Sequence, residues 1–278
     1  MLRIGKIDYT NTLPVFHYFH VEDFAGEVTM IPQVPAVLNR AMREGKVDLG
    51  PISSFAYGEN YGKYLLLPDL SVSALGPVGS IFLFTKAPLE SYGRMRVALT
   101  NTSATSVNLL KILFHFFLRT EVEYETMEPE LEEMLVDHDG ALLIGDDALR
   151  AGWGSHPYQV YDLGDLWHRF TGKWMTFAVW AVREEAYLEN PSLLERVYGA
   201  FLASKERSRR EIEPIIRTAQ ERAGGSEEAW RRYFAGLSHE LEAPQLDGLS
   251  TYYDFAVQLG LLPVQPEMRL VSHLSYHR

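Results

Sequence analysis

Cysteine is absent from this 278-residue sequence, which excludes disulfides, thiolate nucleophiles and cysteine-ligated metal sites and leaves the redox compartment undecided. Positive charge is scarce as well. With 26 Lys and Arg against 37 Asp and Glu, the formal charge is -11, and no basic stripe offers the phosphate contacts that a nucleic-acid partner requires. Long apolar runs are missing: Ile81 to Phe84 and Ala141 to Ile144 fall far short of the ~20 residues that cross a bilayer. No membrane insertion is expected. No charged leader, apolar h-region or small-residue cleavage site precedes the strand-like Leu2 to Ile7 segment, so the expected location is cytoplasmic. The sequence also lacks a GxSxG elbow, a Walker A loop and a GxGxxG fingerprint. His17 and His20 share helical spacing, but without an HExxH pattern or a third ligand they predict no metal site.

What is present is globular material. Apolar residues make up 46% of the chain and no low-complexity tract interrupts it, enough for one large domain or two modest ones. Strand-like segments fall near 2-7, 27-31, 47-50, 80-85, 95-99, 141-144 and 175-182, with helical patterns between them. Residues 35-44 begin with Pro35 and stop at Gly45, and 103-118 carries apolar residues at helical spacing. Strand and helix in alternation predict an α/β fold with mostly parallel sheets. From Pro191 onward the pattern turns helical: a long helix or helix pair to about Arg222, then Ser226 to Leu237 and Gln245 to Leu259. The acidic stretch from Glu121 to Asp139, which holds no Lys or Arg, reads most simply as a solvated face.

The first and middle sections share one plan. Strand 2-7 runs into Tyr9-Thr10-Asn11-Thr12-Leu13-Pro14, as strand 95-99 runs into Thr100 to Ser106; the buried segment ending at Ser53 and Ser54 parallels the one ending at Asp146 and Asp147. Two α/β lobes are therefore expected: 1-88 for the first, 89-178 for the second, and 179-278 as a largely helical return completing the first. Hinge crossings are expected near 86-93 and 176-190. In open parallel sheets ligands sit beyond the carboxyl ends of the strands, which places all four polar turns at one interlobe cleft.

These turns hold the candidate functional residues. Ser53, Ser54, Ser103, Thr105 and Ser106 can cap the free N-H groups of helix starts, and the same geometry binds a carboxylate or phosphate. Asn11 before Pro14 fits an Asx-type turn, Ser80 ordinary turn chemistry, and Asp146 with Asp147 N-capping; each also fits contact with a bound anion or hydroxyl. Lys6, Arg169 and Lys173 are candidate charge supplements. His115, in an apolar stretch, reads as a core or boundary histidine.

Several of these segments in one order resemble a known family. Arg3 to Val15 with Asn11-Thr-Leu-Pro, Asp48-Leu-Gly-Pro-Ile-Ser53-Ser54, Leu66-Leu-Pro68, the Ser80 strand, Ser103-Ala-Thr-Ser106 and Leu142-Leu-Ile-Gly-Asp146-Asp147 are similar to the chorismate dehydratases of menaquinone biosynthesis by the futalosine route. The resemblance covers roughly residues 2-182. It implies a two-lobed periplasmic-binding-protein-like type II fold with a central cleft and a cytoplasmic hydro-lyase that converts chorismate, a small dicarboxylate, into 3-[(1-carboxyvinyl)oxy]benzoate without cofactor. On this reading Asn11 and Ser80 orient the substrate, Ser53, Ser54, Thr105 and Ser106 bind carboxylates, and Asp146 or Asp147 meets a ring hydroxyl. Lys173-Trp174 departs from the family's more usual Thr-Gly-Leu-Pro at this point. A non-catalytic anion-binding protein of the same fold and the sister 1,4-dihydroxy-6-naphthoate synthase are the alternatives.

Overall fold

The computed structural model describes residues 1–271, so residues 272–278 of the expected return segment lie outside the described residues. In chain order the strands are β1 (Leu2–Ile7), β2 (Val28–Gln33), β3 (Leu49–Ser53), β4 (Tyr64–Ala74), β5 (Ile81–Thr85), β6 (Arg94–Thr100), β7 (Glu121–Met127), β8 (Gly140–Ile144), β9 (Gln159–Asp162) and β10 (Met175–Arg183). They form two five-stranded sheets, ordered β2-β1-β3-β10-β4 and β7-β6-β8-β5-β9. The orders correspond strand for strand. In each sheet the first three strands are parallel, and the fourth, β10 or β5, runs antiparallel to both its neighbours. β3 and β8 are buried along their whole length, as central strands covered on both faces must be, and their near-continuous apolar sequences follow from that.

The helices between the strands are α1 (Leu13–Phe16), α2 (Pro35–Arg43), α3 (Ser54–Asn60), α4 (Ala104–Ile112), α5 (Leu131–Asp137), α6 (Gly145–Trp153) and α7 (Leu163–Thr171). Pro35 sits at the start of α2 and Gly45 follows its end at φ +70°, a left-handed position that glycine takes without penalty. The C-terminal helices are α8 (Glu184–Glu189), α9 (Pro191–Arg210), α10 (Ile212–Ala223), α11 (Glu227–Gly236) and α12 (Ala243–Gln258). α9 covers the first sheet through Leu194, Val197 and Phe201. The rest of this segment reaches both lobes: α10 and α11 share an apolar cluster with Leu13 of α1 and Leu149 of α6, while α12 packs on β10 and on α4.

The expected boundaries move. β5 pairs with β8 and β9, so the chain enters the second lobe at 75–80 rather than after residue 88. β10 pairs with β3 and β4, so it returns to the first lobe at 172–174 rather than near 178. The first crossing is pinned by Asp162, whose half-buried carboxylate accepts the N-H groups of Val78 at 3.0 Å and Gly79 at 2.7 Å. Burial pushes that carboxyl up, against the pull of these donors.

Three strands escaped the pattern reading. β4 contains Pro68-Asp69, which looks like a turn; the sheet accommodates it as an irregularity in the β10 register, with Asp69 at φ +55°. β7 lies in the acidic stretch, at a sheet edge, with Glu121, Glu123 and Glu125 exposed on one face. Charge on an edge strand discourages pairing with another chain, and it also hides the strand from a hydrophobicity pattern. β9 is four residues long and mostly polar.

Candidate active site

The polar turns after β1, β3, β6 and β8 converge between the two sheets, where Tyr9, Asn11, Ser53, Ser80, Ser103, Ser106 and Gly145 line a cavity of about 50 Å3 closed by Ile7, Ile81, Ile144 and Phe177. Its walls are largely apolar, and its polar groups are hydroxyls, one amide and helix-start N-H groups.

Ser53 ends β3 and caps α3. Its Oγ accepts from the amide N-H of Ala56 at 3.2 Å and from the Asn39 side chain at 3.1 Å, while its own N-H donates to Asn39 Oδ1 at 3.0 Å. With two donors already on the oxygen, the hydroxyl hydrogen is what Ser53 has left to offer the cavity.

At the start of α4, Ser103 Oγ accepts the N-H of Ser106 at 3.1 Å. That leaves the N-H groups of Ala104 and Thr105 among the unsatisfied donors of the first helical turn, in a setting that favours an anion. The α6 start is different: Asp146 and Asp147 occupy its first turn and supply negative charge themselves.

Asn11 lies in a short 3-10 turn, Thr10–Thr12. The turn is held from two sides. Asp146 Oδ1 accepts the Thr10 N-H at 3.1 Å and the Thr10 hydroxyl at 2.6 Å, and His239 Nε2 donates to the Asn11 carbonyl at 2.7 Å. Burial holds the His239 imidazole down to about 4, so it is neutral, with its proton on Nε2. Burial pushes the Asp146 carboxyl up, while Thr10 opposes that shift. The Asn11 side chain makes no hydrogen bond to the described residues, and its Oδ1 is buried. An unsatisfied buried acceptor costs about 1–3 kcal/mol, so a group turned toward a cavity in this state is poised for a ligand.

Ser80 closes the first crossing segment. Its Oγ accepts from the Tyr233 hydroxyl at 2.9 Å, and its carbonyl accepts the Gly145 N-H at 2.8 Å. Gly145 has φ +60°, and a Cβ there would stand 2.8 Å from the Tyr9 ring, so glycine is required for both conformation and room.

Of the expected site residues, Asn11, Ser53, Ser80 and Ser106 line the cavity and Ser54, Thr105, Asp146 and Asp147 do not. The Ser54 hydroxyl donates to the Thr176 carbonyl at 2.7 Å, away from the cleft. Thr105 Oγ1 accepts the Phe55 N-H at 3.0 Å, joining the two lobes. Asp146 holds the Thr10 turn, and Asp147 pairs with Arg150. The charge supplements are also engaged elsewhere: Lys173 with Asp247 at 2.6 Å, Arg169 with Asp165 at 2.6 Å, and Lys6 over the Phe16 ring. The Lys173 pairing ties the atypical Lys173-Trp174 segment to α12. Tyr9, Asn39, Phe177, Tyr233 and His239 were not foreseen. α12 adds two more, since the Tyr253 hydroxyl donates to the Ser54 carbonyl at 2.6 Å and the Tyr252 hydroxyl to the Thr105 carbonyl at 3.2 Å.

Against known proteins, the sequence profile of the menaquinone biosynthesis family matches residues 2–258. The chain belongs to this family. A chorismate dehydratase of Thermus thermophilus is 35% identical over 273 residues, covering 93% of this chain and 95% of that protein. A 1,4-dihydroxy-6-naphtoate synthase of the same organism is 29% identical over 178 residues, with 62% of each chain covered. Among solved structures, the periplasmic aliphatic sulphonate binding protein SsuA of Escherichia coli superposes with a TM-score of 0.71 at 13% identity, over 98% of this chain and 92% of that one. The last comparison establishes the two-lobed binding-protein fold of this family member and nothing about its ligand.

Proposed function

We infer that this chain is a chorismate dehydratase, a cytoplasmic hydro-lyase that forms 3-[(1-carboxyvinyl)oxy]benzoate and water in menaquinone biosynthesis by the futalosine route. The observation that carries the reading is the 35% identity to the Thermus thermophilus enzyme over nearly the full length of both chains, against 29% to the sister synthase over only 62% of each.

The polarity of the cavity supports it. The Ser53 hydroxyl and the α4 start present donors, which suit the acceptor-only oxygens of two carboxylates. The Asn11 amide presents a donor and an acceptor, matching the enolpyruvyl carboxylate and the C4 hydroxyl of chorismate. In the reaction the C3-H bond breaks and its electron pair becomes the C3-C4 π bond as the C4-O bond breaks; the departing hydroxide takes up the abstracted proton from the carboxylate that accepted it and leaves as water. The C3 proton is acidified through the ring carboxylate, and the enolpyruvyl carboxylate, held by Asn11, is the acceptor we assign. Aromatisation drives the step, so orientation and preorganised hydrogen bonds suffice for the protein's part.

A cavity of about 50 Å3 is well below the ~300 Å3 at which ordinary ligand sites begin, so the lobes part about the crossings at 75–80 and 172–174 to admit substrate. The test is direct. Purified protein incubated with chorismate yields a product lighter by one water with a benzoate absorbance; recovery of unchanged chorismate would make this a binding protein instead.

A further inference from the structure

The reading of Ser80 as a substrate-orienting group leaves open what orients Ser80 itself. Its hydroxyl lies at the inner end of the crossing segment, 1% exposed, on the cavity wall. Behind it stands Tyr233 of α11, a residue distant in sequence and absent from every polar turn. The Tyr233 ring is fixed by neighbours: Trp230 edge-on with centroids 5.5 Å apart, Phe234 at 5.4 Å, and the backbone at Gly79, where a Cβ would come within 3.1 Å of the ring. A ring so packed has one place for its hydroxyl.

The direction of the hydrogen bond follows from counting acceptors. The Tyr233 hydroxyl has Ser80 Oγ as its hydrogen-bonding partner at 2.9 Å among the described residues. If Ser80 donated instead, the buried phenol hydrogen would have no acceptor, at the cost of an unsatisfied group. Tyr233 therefore donates, and the Ser80 hydrogen is turned away from it toward the cavity.

We propose that Tyr233 is a positioning residue for the dehydration: it locks the Ser80 hydroxyl as a hydrogen-bond donor aimed at the oxygen that departs from the substrate. This rests on the chorismate dehydratase reading and on Ser80 contacting that oxygen. Burial pushes the Tyr233 phenol up, which keeps it protonated throughout the working range, so it orients Ser80 and does not itself pass on a proton.

The test is a double-mutant cycle on chorismate turnover with Tyr233→Phe, Ser80→Ala and the pair. Tyr233→Phe keeps the packed ring and removes one oxygen. It is expected to lower kcat about tenfold with KM within about twofold, because the loss falls on the transition state. Ser80→Ala is expected to lower kcat further, and the double variant to match Ser80→Ala alone, since Tyr233 then has nothing to orient. Unfolding midpoints measured alongside separate this from packing, which would lower stability without coupling the two kcat losses. Full turnover by Tyr233→Phe, or losses that simply multiply, overturns the proposal while Ser80 keeps its role. Full turnover by Ser80→Ala overturns the role of Ser80 and the proposal with it.

Discussion

The Thr105 hydroxyl accepts the backbone N-H of Phe55 at 3.0 Å, a hydrogen bond between the first turn of a helix in one lobe and the first turn of a helix in the other. The two residues belong to two of the polar turns expected to face a ligand, yet here they meet each other rather than a ligand. This contact, with the pair between Thr10 and Asp146, latches the lobes around the cavity.

Breaking the latch should weaken substrate capture. Thr105→Val keeps the shape and removes the acceptor, and a hydrogen bond of this kind is worth about 1 kcal/mol net, or roughly fivefold in an equilibrium. KM for chorismate should rise by about that factor, with Thr105→Ser close to the parent. Steady-state kinetics decides; an unchanged KM for the valine variant means closure does not depend on this bond.

Asn11 offers the opposite separation. Its side chain makes no hydrogen bond to the described protein and carries a buried unsatisfied acceptor, so Asn11→Ala should leave the folded state at least as stable as the parent. Turnover should fall on the order of 100-fold, because substrate orientation is lost. Full turnover would remove Asn11 from the mechanism.

Ser53 and Ser54 are neighbours that should behave differently. Ser53→Ala loses both the α3 cap and the donor facing the cavity; KM should rise about tenfold, with a stability loss of ~1 kcal/mol. Ser54→Ala strips the Thr176 carbonyl of its partner and should lower stability by ~1 kcal/mol while KM stays within about twofold. A raised KM for Ser54→Ala at unchanged stability would reverse the assignment.

His239 makes stability fall in acid. Burial, aided by Lys205 and Arg209 and opposed by the Asn11 carbonyl, holds its imidazole at about 4 in the folded chain, against 6.5 when solvated. The unfolded chain thus binds the proton first. This contribution is complete above pH 6.5 and is lost as pH falls toward 4, by roughly 3 kcal/mol in all. Chemical denaturation at pH 7.5, 5.5 and 4.5 should show a shallower decline for His239→Gln than for the parent; parallel declines would mean that His239 is not buried in neutral form.

The two-lobed α/β plan could be read from sequence because it rests on local patterns. Apolar strands buried on both faces, helix starts at Pro35 and Ser103, and the helical turn of composition after Pro191 each leave a signature within a few residues. The polar turns were legible for the same reason, as strand ends that lead into helix caps. β4 and β7 were not, because Pro68-Asp69 and the glutamates of the edge strand contradict the local pattern and are tolerated only by the sheets around them.

Which hydroxyl reaches the cavity was decided by tertiary structure alone. At a strand end successive side chains point to opposite faces, so Ser53 meets the cleft while Ser54 turns to Thr176, a difference no composition records. The groups that orient the site come from far along the chain: Tyr233 lies 153 residues from Ser80 and His239 lies 228 from Asn11. Sequence by itself determined the fold, the cleft and the chemical character of its rim. Folding determined which groups remain unpaired there, because a hydrogen-bonding group is available to a ligand only when no distant part of the chain has already satisfied it.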